Sequence, residues 1–284
     1  MNLSMIKPLL MTRPYSWVGV ILISIIANMT SKKILIFDGE LLLDCAVGLL
    51  LWITTIFFVE HFHEKEDKRT RIPPWVPASL IFLLSLIMAF KNIFTLLLLP
   101  LMLLFVMLYA LKIKDWMLSC FSFMFRGLLE VVGFLVIFFF HSNHFSNEIF
   151  PLLLTIFLIT NSRNLIGDIR DVNFDRYTFP KKYGIKLSYL VSATLIILSI
   201  IILPNIYANI HVALPLVTIL TLMIFVRNAY ILHRIFVVAT IFFFVNYIAL
   251  FLNEGNMALF NLLFIGVILN FTYPLVPRKS NPEI

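Results

Sequence analysis

The sequence has 284 residues, of which 61% are hydrophobic and only 13% are charged. Its mean hydropathy is +0.99, and a water-soluble domain of this length does not need so much apolar surface. The composition therefore excludes a soluble globular protein. The net charge of +7 does not indicate nucleic acid, because the basic residues follow a membrane-topology pattern. Two cysteines, Cys45 and Cys120, lie in apolar stretches without metal or redox spacing, so we expect them to be packing residues.

Ten apolar stretches, taken with their polar flanks, are long enough for helices that cross a membrane. Because the first stretch is followed by many others, it is not a removable signal peptide. No linker or low-complexity tract interrupts the chain, so we expect residues 1–284 to form one integral-membrane domain, an all-α bundle of about nine or ten helices. The predicted spans are Ser16–Met29, Leu41–Val59, Ala78–Phe90, Ile93–Leu111, Met117–Phe140, Ile149–Ser162, Leu187–Tyr207, Val212–Val226, Ile235–Leu252 and Ala258–Val276.

The distribution of basic residues predicts the orientation of these spans. Ten crossings place both termini on one side, and eighteen of the 22 Lys and Arg residues fall on that side. Only Lys32, Lys33 and Lys91 fall on the other side. By the positive-inside rule the basic side is cytoplasmic. The longer polar loops, His61–Pro77 and Asp168–Lys186, also lie there, so we expect a cell-membrane protein whose chemistry takes place at its cytoplasmic face.

The sixth predicted span continues into a stripe of polar residues. Asn161, Asn164, Asp168, Asp171 and Asp175 are spaced by three or four, which places them on one face of a helix. Three carboxylates on one stripe repel one another unless a cation lies among them. Oxygen ligands of this kind suit Mg²⁺, which usually shares a phosphate-bearing substrate. The alternative is a solvated helix end with ordinary surface charges.

A second acidic stripe follows the second predicted span. Glu60, Glu64 and Asp67 are spaced by four and three, so they also share one helical face. Both stripes leave the membrane on the same side. Two facing groups of carboxylates could hold two or more Mg²⁺ ions around a diphosphate and assist its ionisation.

The two stripes resemble the Asp-rich motifs of the UbiA-type intramembrane prenyltransferases, which are all-helical and carry these motifs at the cytoplasmic ends of their second and sixth helices. The second family motif is DxxDxxxD, and Asp168, Asp171 and Asp175 match it. The segment Thr178–Gly184 is similar to the Thr-Leu-Pro tail that follows this motif in the family. The second motif is the most specific part of the resemblance.

Two further segments resemble the family. Arg13-Pro14 stands before the first span, where the family carries Arg-Pro, and Tyr109-Ala-Leu-Lys112 is similar to a family segment that contacts diphosphate. With these segments, the resemblance covers nearly the whole chain. It implies a bundle with the UbiA fold and two motifs that face each other.

The first motif departs from the family pattern NxxxDxxxD. The best overlay places Glu60, Glu64 and Lys68 at the three motif positions, with Asp67 one residue early. Glutamate can bind Mg²⁺ through a longer arm, so Glu60, Glu64 and Asp67 are expected metal ligands. Lysine cannot bind a metal ion in its charged form, but Lys68 could neutralise diphosphate directly. The alternative is a solvated beginning of a loop.

The resemblance implies Mg²⁺-dependent transfer of a prenyl group from an isoprenyl diphosphate to an aromatic or lipid acceptor. Asp168, Asp171 and Asp175 would hold the metal and are the implied catalytic residues. The implied diphosphate contacts are Asn164, Lys112, Tyr109, Arg163, Lys181 and Lys68.

Two other functions stay open. A UbiA-type terpene cyclase would use the same ionisation but close the ring within one molecule, without an acceptor. A cation transporter is the alternative from a different class, although the stripe of aspartates lies at a loop junction rather than near mid-membrane, where transporter sites are found.

Three charged residues lie within predicted spans. Arg126 and Glu130, four residues apart in the fifth span, are interpreted as a structural ion pair rather than as part of the diphosphate site. Asp44 is expected to cap its helix or to reach towards the external surface.

Overall fold

The structure is a computed structural model, and it describes residues 12–67, 72–110, 116–145, 147–173, 175, 177–203, 210–250, 252 and 257–275. The regular elements within these ranges are helices, joined by short turns. The α-helices are α1 (Trp17–Lys32), α2 (Gly39–Asp67), α3 (Trp75–Lys91), α4 (Leu98–Ala110), α5 (Ser122–Phe139), α6 (Phe150–Arg170), α7 (Phe179–Tyr183), α8 (Ile185–Ile202), α9 (Ile210–Phe225), α10 (Ala229–Ala249) and α11 (Met257–Asn270). Single 3₁₀ turns cover Pro14–Ser16, Ile93–Leu97, Ser119–Phe121, Asn147–Ile149 and Tyr273–Leu275.

Each of the ten predicted spans corresponds to one helix. Within the described residues, seven helical segments, those of α1, α2, α4, α5, α6, α8 and α10, are long and apolar enough to cross a membrane, while α3, α9 and α11 are shorter apolar helices. The short helix α7 belongs to the loop after α6. The protein is therefore an all-α, multi-pass membrane protein, as the sequence predicted.

Helix α6 lies at the centre of the bundle. It packs against α5, α8 and α10, and 72% of its spanning residues are buried, compared with 22% for α8. Its first turn carries Pro151, whose missing N–H would have no partner inside the helix in any case. The central position explains how α6 can carry polar residues such as Asn161 and Ser162, which are buried against neighbouring helices.

Small and hydroxyl-bearing residues let the central helices approach closely. A Cβ atom on Gly127 of α5 would lie 2.2 Å from Oδ1 of Asn161 on α6, so this contact requires glycine. On the other side of α6, the hydroxyls of Ser162 and Ser192 are 2.7 Å apart and link α6 to α8. Contacts of small residues and interhelical hydrogen bonds are the usual means of helix association in membranes.

The segment between α6 and α8 returns sharply to the membrane. Gly184 has φ +89°, which a glycine adopts without steric cost, and it separates α7 from α8. Phe179 of α7 packs edge-on against Phe123 of α5, with 5.7 Å between ring centroids. This contact holds the loop after α6 against the end of α5.

At the opposite end of the bundle, Asp38 caps α2. The carboxylate of Asp38 accepts a hydrogen bond from the backbone N–H of Leu41 at 2.8 Å. This bond, with the nearby charge of Lys32, lowers the pKa of Asp38 below its usual value. The cap explains why α2 begins at Gly39, two residues before the predicted span.

The prediction for Asp44 is wrong. Asp44 is fully buried, and its Oδ2 accepts a hydrogen bond from Nδ2 of Asn28 at 2.6 Å and lies 2.6 Å from Nε2 of His141. The residue neither caps its helix nor reaches the surface, because it lies in the second turn of α2 on the side that faces α1. It joins α1, α2 and the end of α5.

Candidate active site

The end of α2 is held by the residue that precedes α1. Glu60 is 6% exposed, and its Oε1 lies 3.3 Å from Nη2 of Arg13. Arg13 has φ +57°, a conformation that costs a non-glycine residue of the order of 1–3 kcal/mol. The surrounding contacts hold it there, so the first motif begins with a buried carboxylate and an arginine partner. Glu60 is not part of a solvated loop.

Two tryptophans fix the segment that carries Arg13. The carbonyl of Thr12 accepts hydrogen bonds from Nε1 of Trp17 at 3.3 Å and from Nε1 of Trp52 at 2.8 Å. Trp17 belongs to α1 and Trp52 to α2, so this carbonyl ties the two helices together beneath the Arg13–Glu60 pair.

Arg126 is a buried cation beside this pair. It is 4% exposed, and its guanidinium lies 4.0 Å from the centroid of the Trp52 ring and 5.8 Å from that of Tyr109. Nε and Nη1 of Arg126 are buried without a hydrogen-bond partner among the described residues. Ring faces attract a cation, but they do not satisfy its N–H donors, so Arg126 retains donors for an anion.

The predicted Arg126–Glu130 ion pair is wrong. The carboxylate of Glu130 instead forms an ion pair with Arg163 of α6 and accepts a hydrogen bond from Thr160 at 2.5 Å. Residues four apart meet easily on an isolated helix. Here the close packing of α5 on α6 brings Arg163 to Glu130, while Arg126 turns towards α2. Arg163, a predicted diphosphate contact, therefore has its guanidinium engaged inside the bundle.

The predicted stripe of aspartates is only partly helical. Helix α6 ends at Arg170, so Asp168 lies in its last turn, whereas Asp171 is the residue after its end. The backbone N–H of Asp175 donates to the carbonyl of Asp171 at 2.9 Å, which continues the turn beyond the helix. Asp168 and Asp175 are 4% and 6% exposed. The solvated alternative is therefore wrong for these two carboxylates.

The remaining aspartate and the two asparagines have separate contacts. Asp171 forms an ion pair with the neighbouring Arg170. Asn164 donates from Nδ2 to the carbonyl of Phe123 at 3.4 Å, and Asn161 is buried against Gly127. The asparagines therefore contribute to the packing of α6 on α5.

Sequence reasoning missed Tyr273, a central residue of the site, which follows α11. It is fully buried, its hydroxyl accepts a hydrogen bond from Arg170, and the same oxygen lies 2.8 Å from Nδ1 of His233. Its ring packs edge-on against Tyr15, with 4.7 Å between centroids. Nothing in the local sequence distinguishes Tyr273 from an ordinary tyrosine at a membrane boundary, since its position depends on how α11 packs.

A continuous set of contacts therefore joins the ends of α2 and α6. Arg13 pairs with Glu60, and two residues later Tyr15 meets Tyr273, which in turn accepts from Arg170 beside Asp171. The structure thus links Glu60 of the first predicted motif to the Arg170–Asp171 pair of the second.

The other predicted site residues are placed as follows. Helix α2 continues to Asp67, but the side chains of Glu64 and Asp67 lie outside the described residues, as do Lys68 and Lys112 entirely. Lys181 is exposed on α7, and Tyr109 is buried beside Arg126.

The donors at this site suit a hard cation. Glu60, Asp168 and Asp175 offer only carboxylate oxygens, and each is more than nine-tenths buried, and oxygen ligands of this kind are those that Mg²⁺ prefers. Within the described residues, however, no group of three or more His, Cys, Asp or Glu side chains is placed to hold a metal ion. The ligand types fit Mg²⁺, and the ligand set stays a prediction.

The fold is known from solved structures. No protein-family model matches the sequence, and no curated protein matches it. A UbiA homologue from Aeropyrum pernix K1, in its apo form, is similar with a TM-score of 0.67 and 14% identity over 83% of this chain and 98% of that chain. A UbiA homologue from Archaeoglobus fulgidus bound to Cd²⁺ has a TM-score of 0.53 and 14% identity over 95% and 98% of the two chains.

A third similar structure is a digeranylgeranylglyceryl phosphate synthase. Its TM-score is 0.54, with 21% identity over 97% of this chain and 96% of that chain. The protein therefore has the fold of the UbiA homologues, which confirms the resemblance at the level of the fold.

Proposed function

We propose that this protein is a Mg²⁺-dependent prenyltransferase, which transfers a prenyl group from an isoprenyl diphosphate to a lipid or aromatic acceptor. The observation that carries the proposal is the junction of the two motifs, where the buried carboxylate of Glu60 on α2 is joined through Arg13, Tyr15 and Tyr273 to the Arg170–Asp171 pair at the end of α6. The UbiA fold, shared with a digeranylgeranylglyceryl phosphate synthase, supports it.

In this proposal the carboxylates hold the metal. Asp168 and Asp175, with Glu60 and Glu64 opposite, would bind Mg²⁺, and Asp171 would join them on release from Arg170. When bound, Mg²⁺ would neutralise the negative charge of the diphosphate and stabilise it as a leaving group. Asp67 would complete the first motif as a further ligand.

Basic and polar side chains would hold the diphosphate. Among the described residues, Arg126 is the best candidate for a diphosphate contact, because its buried guanidinium has N–H donors available. A guanidinium binds phosphate oxygens through several N–H groups at once. Arg163 would contribute to diphosphate binding indirectly, because it neutralises the negative charge of Glu130. The remaining proposed diphosphate contacts are Asn164, Tyr109, Lys112, Lys181 and Lys68.

The reaction then follows from charge. The C–O bond of the prenyl diphosphate breaks, and the diphosphate leaves with the bonding electron pair. An electron-rich atom of the acceptor attacks the allylic cation and releases a proton. Aromatic faces near the site, such as those of Tyr15 and Tyr109, would favour a cation over water.

Product analysis of the purified protein tests the proposal. The protein would be incubated with Mg²⁺ and prenyl diphosphates of several chain lengths, with and without a membrane lipid extract as acceptor source. We expect a product that forms only with extract and whose mass equals that of the acceptor plus the prenyl group minus one hydrogen. A hydrocarbon product formed without extract would show a cyclase. No diphosphate release under any condition, together with cation flux in vesicles, would show a transporter.

A further inference from the structure

A groove on the side of the bundle is separate from the junction of the two motifs. It lies between α9, α10 and α11 and encloses a cavity of about 550 Å³. Most of its wall is apolar, and the polar residues in the wall are Thr218, Arg234, Asn246 and Asn270. The residues that matter here are Leu214, Val238 and Phe242 of the apolar wall and Arg234, Asn246 and Asn270.

Arg234 gives this groove a positive charge. Its Nε donates to Oδ1 of Asn270 at 3.1 Å, and its guanidinium lies 5.9 Å from the centroid of the Tyr273 ring. No carboxylate within the described part of the chain forms an ion pair with Arg234. The neighbouring His233 lies on a different face of α10, against Gly167 of α6.

The walls of the groove provide no counter-charge. The sequences of α9, α10 and α11 contain no Asp or Glu, and none occurs between Asp175 and Glu254. A basic residue near the end of a membrane-spanning helix reaches towards the lipid headgroups. Asn270 fixes the direction of the guanidinium through one hydrogen bond, which leaves its charge uncompensated. The groove is therefore complementary to an anion.

The length of the groove matches one leaflet of a bilayer. Asn246 lies twelve residues after Arg234 on α10, which corresponds to about 18 Å along the helix axis. The hydrocarbon core of a bilayer is about 30 Å thick, so this distance is close to half of it. Arg234 lies at the same end of the bundle as the motif junction, since its guanidinium faces Tyr273.

We propose that this groove binds an anionic phospholipid from the surrounding leaflet. The phosphate contacts Arg234 and Asn270, and one acyl chain runs along Val238 and Phe242 towards Asn246. The site differs from the proposed prenyl diphosphate site in its helices and in its residues, and the inference does not depend on the proposed function.

Native mass spectrometry of the full-length protein in detergent tests the proposal, with phosphatidylglycerol and phosphatidylcholine of identical acyl chains as probes. We expect the unaltered protein to retain phosphatidylglycerol about fivefold more strongly, the effect of one basic residue at an anionic membrane surface. Arg234→Gln should remove this preference. Arg227→Gln is the matched control, because Arg227 is exposed before α10 begins and does not line the groove.

A second variant tests the position of the acyl chain. Val238→Trp fills the groove without changing its charge, so it should reduce the retention of both lipids. Equal retention of the two lipids by the unaltered protein would overturn the proposal. A preference for phosphatidylglycerol that survives Arg234→Gln, or one that Arg227→Gln removes equally, would also overturn it.

Discussion

The guanidinium of Arg13 lies 3.3 Å from the carboxylate of Glu60 and so joins the segment before α1 to the last third of α2. Glu60 is buried, and Arg13 holds a left-handed backbone conformation to reach it. This pair gives the irregular first motif a defined structure, although glutamate stands where the UbiA family carries asparagine.

Replacement of Glu60 tests the role of this pair. Glu60→Gln keeps the size of the side chain but leaves Arg13 without its counter-charge, so we expect a loss of stability of about 1.5–3 kcal/mol, typical of a hydrogen bond to a charged group. Thermal unfolding in detergent measures it. Glu40→Gln is the control, because Glu40 is 56% exposed in its pair with Lys32, and a surface pair contributes about 0–1 kcal/mol. Equal effects of the two changes would contradict the assignment.

Two buried arginines should respond differently to the same substitution. Arg163→Met leaves Glu130 as an unpaired buried charge, which costs about 3–5 kcal/mol, so we expect strong destabilisation. The double change with Glu130→Gln should recover much of it. Arg126→Met removes no ion pair, so it should leave unfolding nearly unchanged and raise the KM for prenyl diphosphate. Unfolding curves and KM values would be measured on all variants. If Arg126→Met destabilised the protein more than Arg163→Met, the structural role of Arg163 and the substrate-binding role of Arg126 would both be refuted.

The sequence predicted features that depend on residues close together in the chain, and it failed where contacts form between distant helices. Hydropathy and charge predicted ten helices and the convergence of the motif ends, because both depend on spacing along the chain. The choice of Arg163 as the partner of Glu130 could not be predicted, since it depends on how α5 packs on α6. Tyr273 was missed for a similar reason, because α11 brings it to Arg170 from about 100 residues away.

Removal of the Tyr273 hydroxyl tests its place in the site. Tyr273→Phe keeps the ring contact with Tyr15 but removes an acceptor from Arg170 and a partner from His233. We expect a loss of stability of about 1–3 kcal/mol and a lower kcat, because Arg170 is then free to bind Asp171 more tightly. Tyr183→Phe serves as the control, since Tyr183 is exposed on α7 and contacts Phe179 through its ring. An unchanged kcat in Tyr273→Phe would remove this residue from the site.

The cluster around Asp44 should contribute to stability and not to turnover. Asp44→Ala leaves Asn28 and His141 buried without their shared acceptor, so we expect a loss of about 1–3 kcal/mol. The kcat of the folded fraction should stay at the level of the unaltered protein, because the cluster lies at the opposite end of the bundle. A large fall in kcat at full stability would show that this cluster takes part in the reaction.

The most direct test of the proposed function is prenyl diphosphate turnover measured against Mg²⁺ concentration, in the unaltered protein and in Asp168→Asn. The amide keeps the size of the side chain but removes the charge that a hard cation needs. The account predicts turnover that requires Mg²⁺ and falls by about 10²–10³ in the variant, the cost of losing one electrostatic contact to the transition state. Turnover that is independent of Mg²⁺, or equal in the two proteins at every Mg²⁺ concentration, would contradict it.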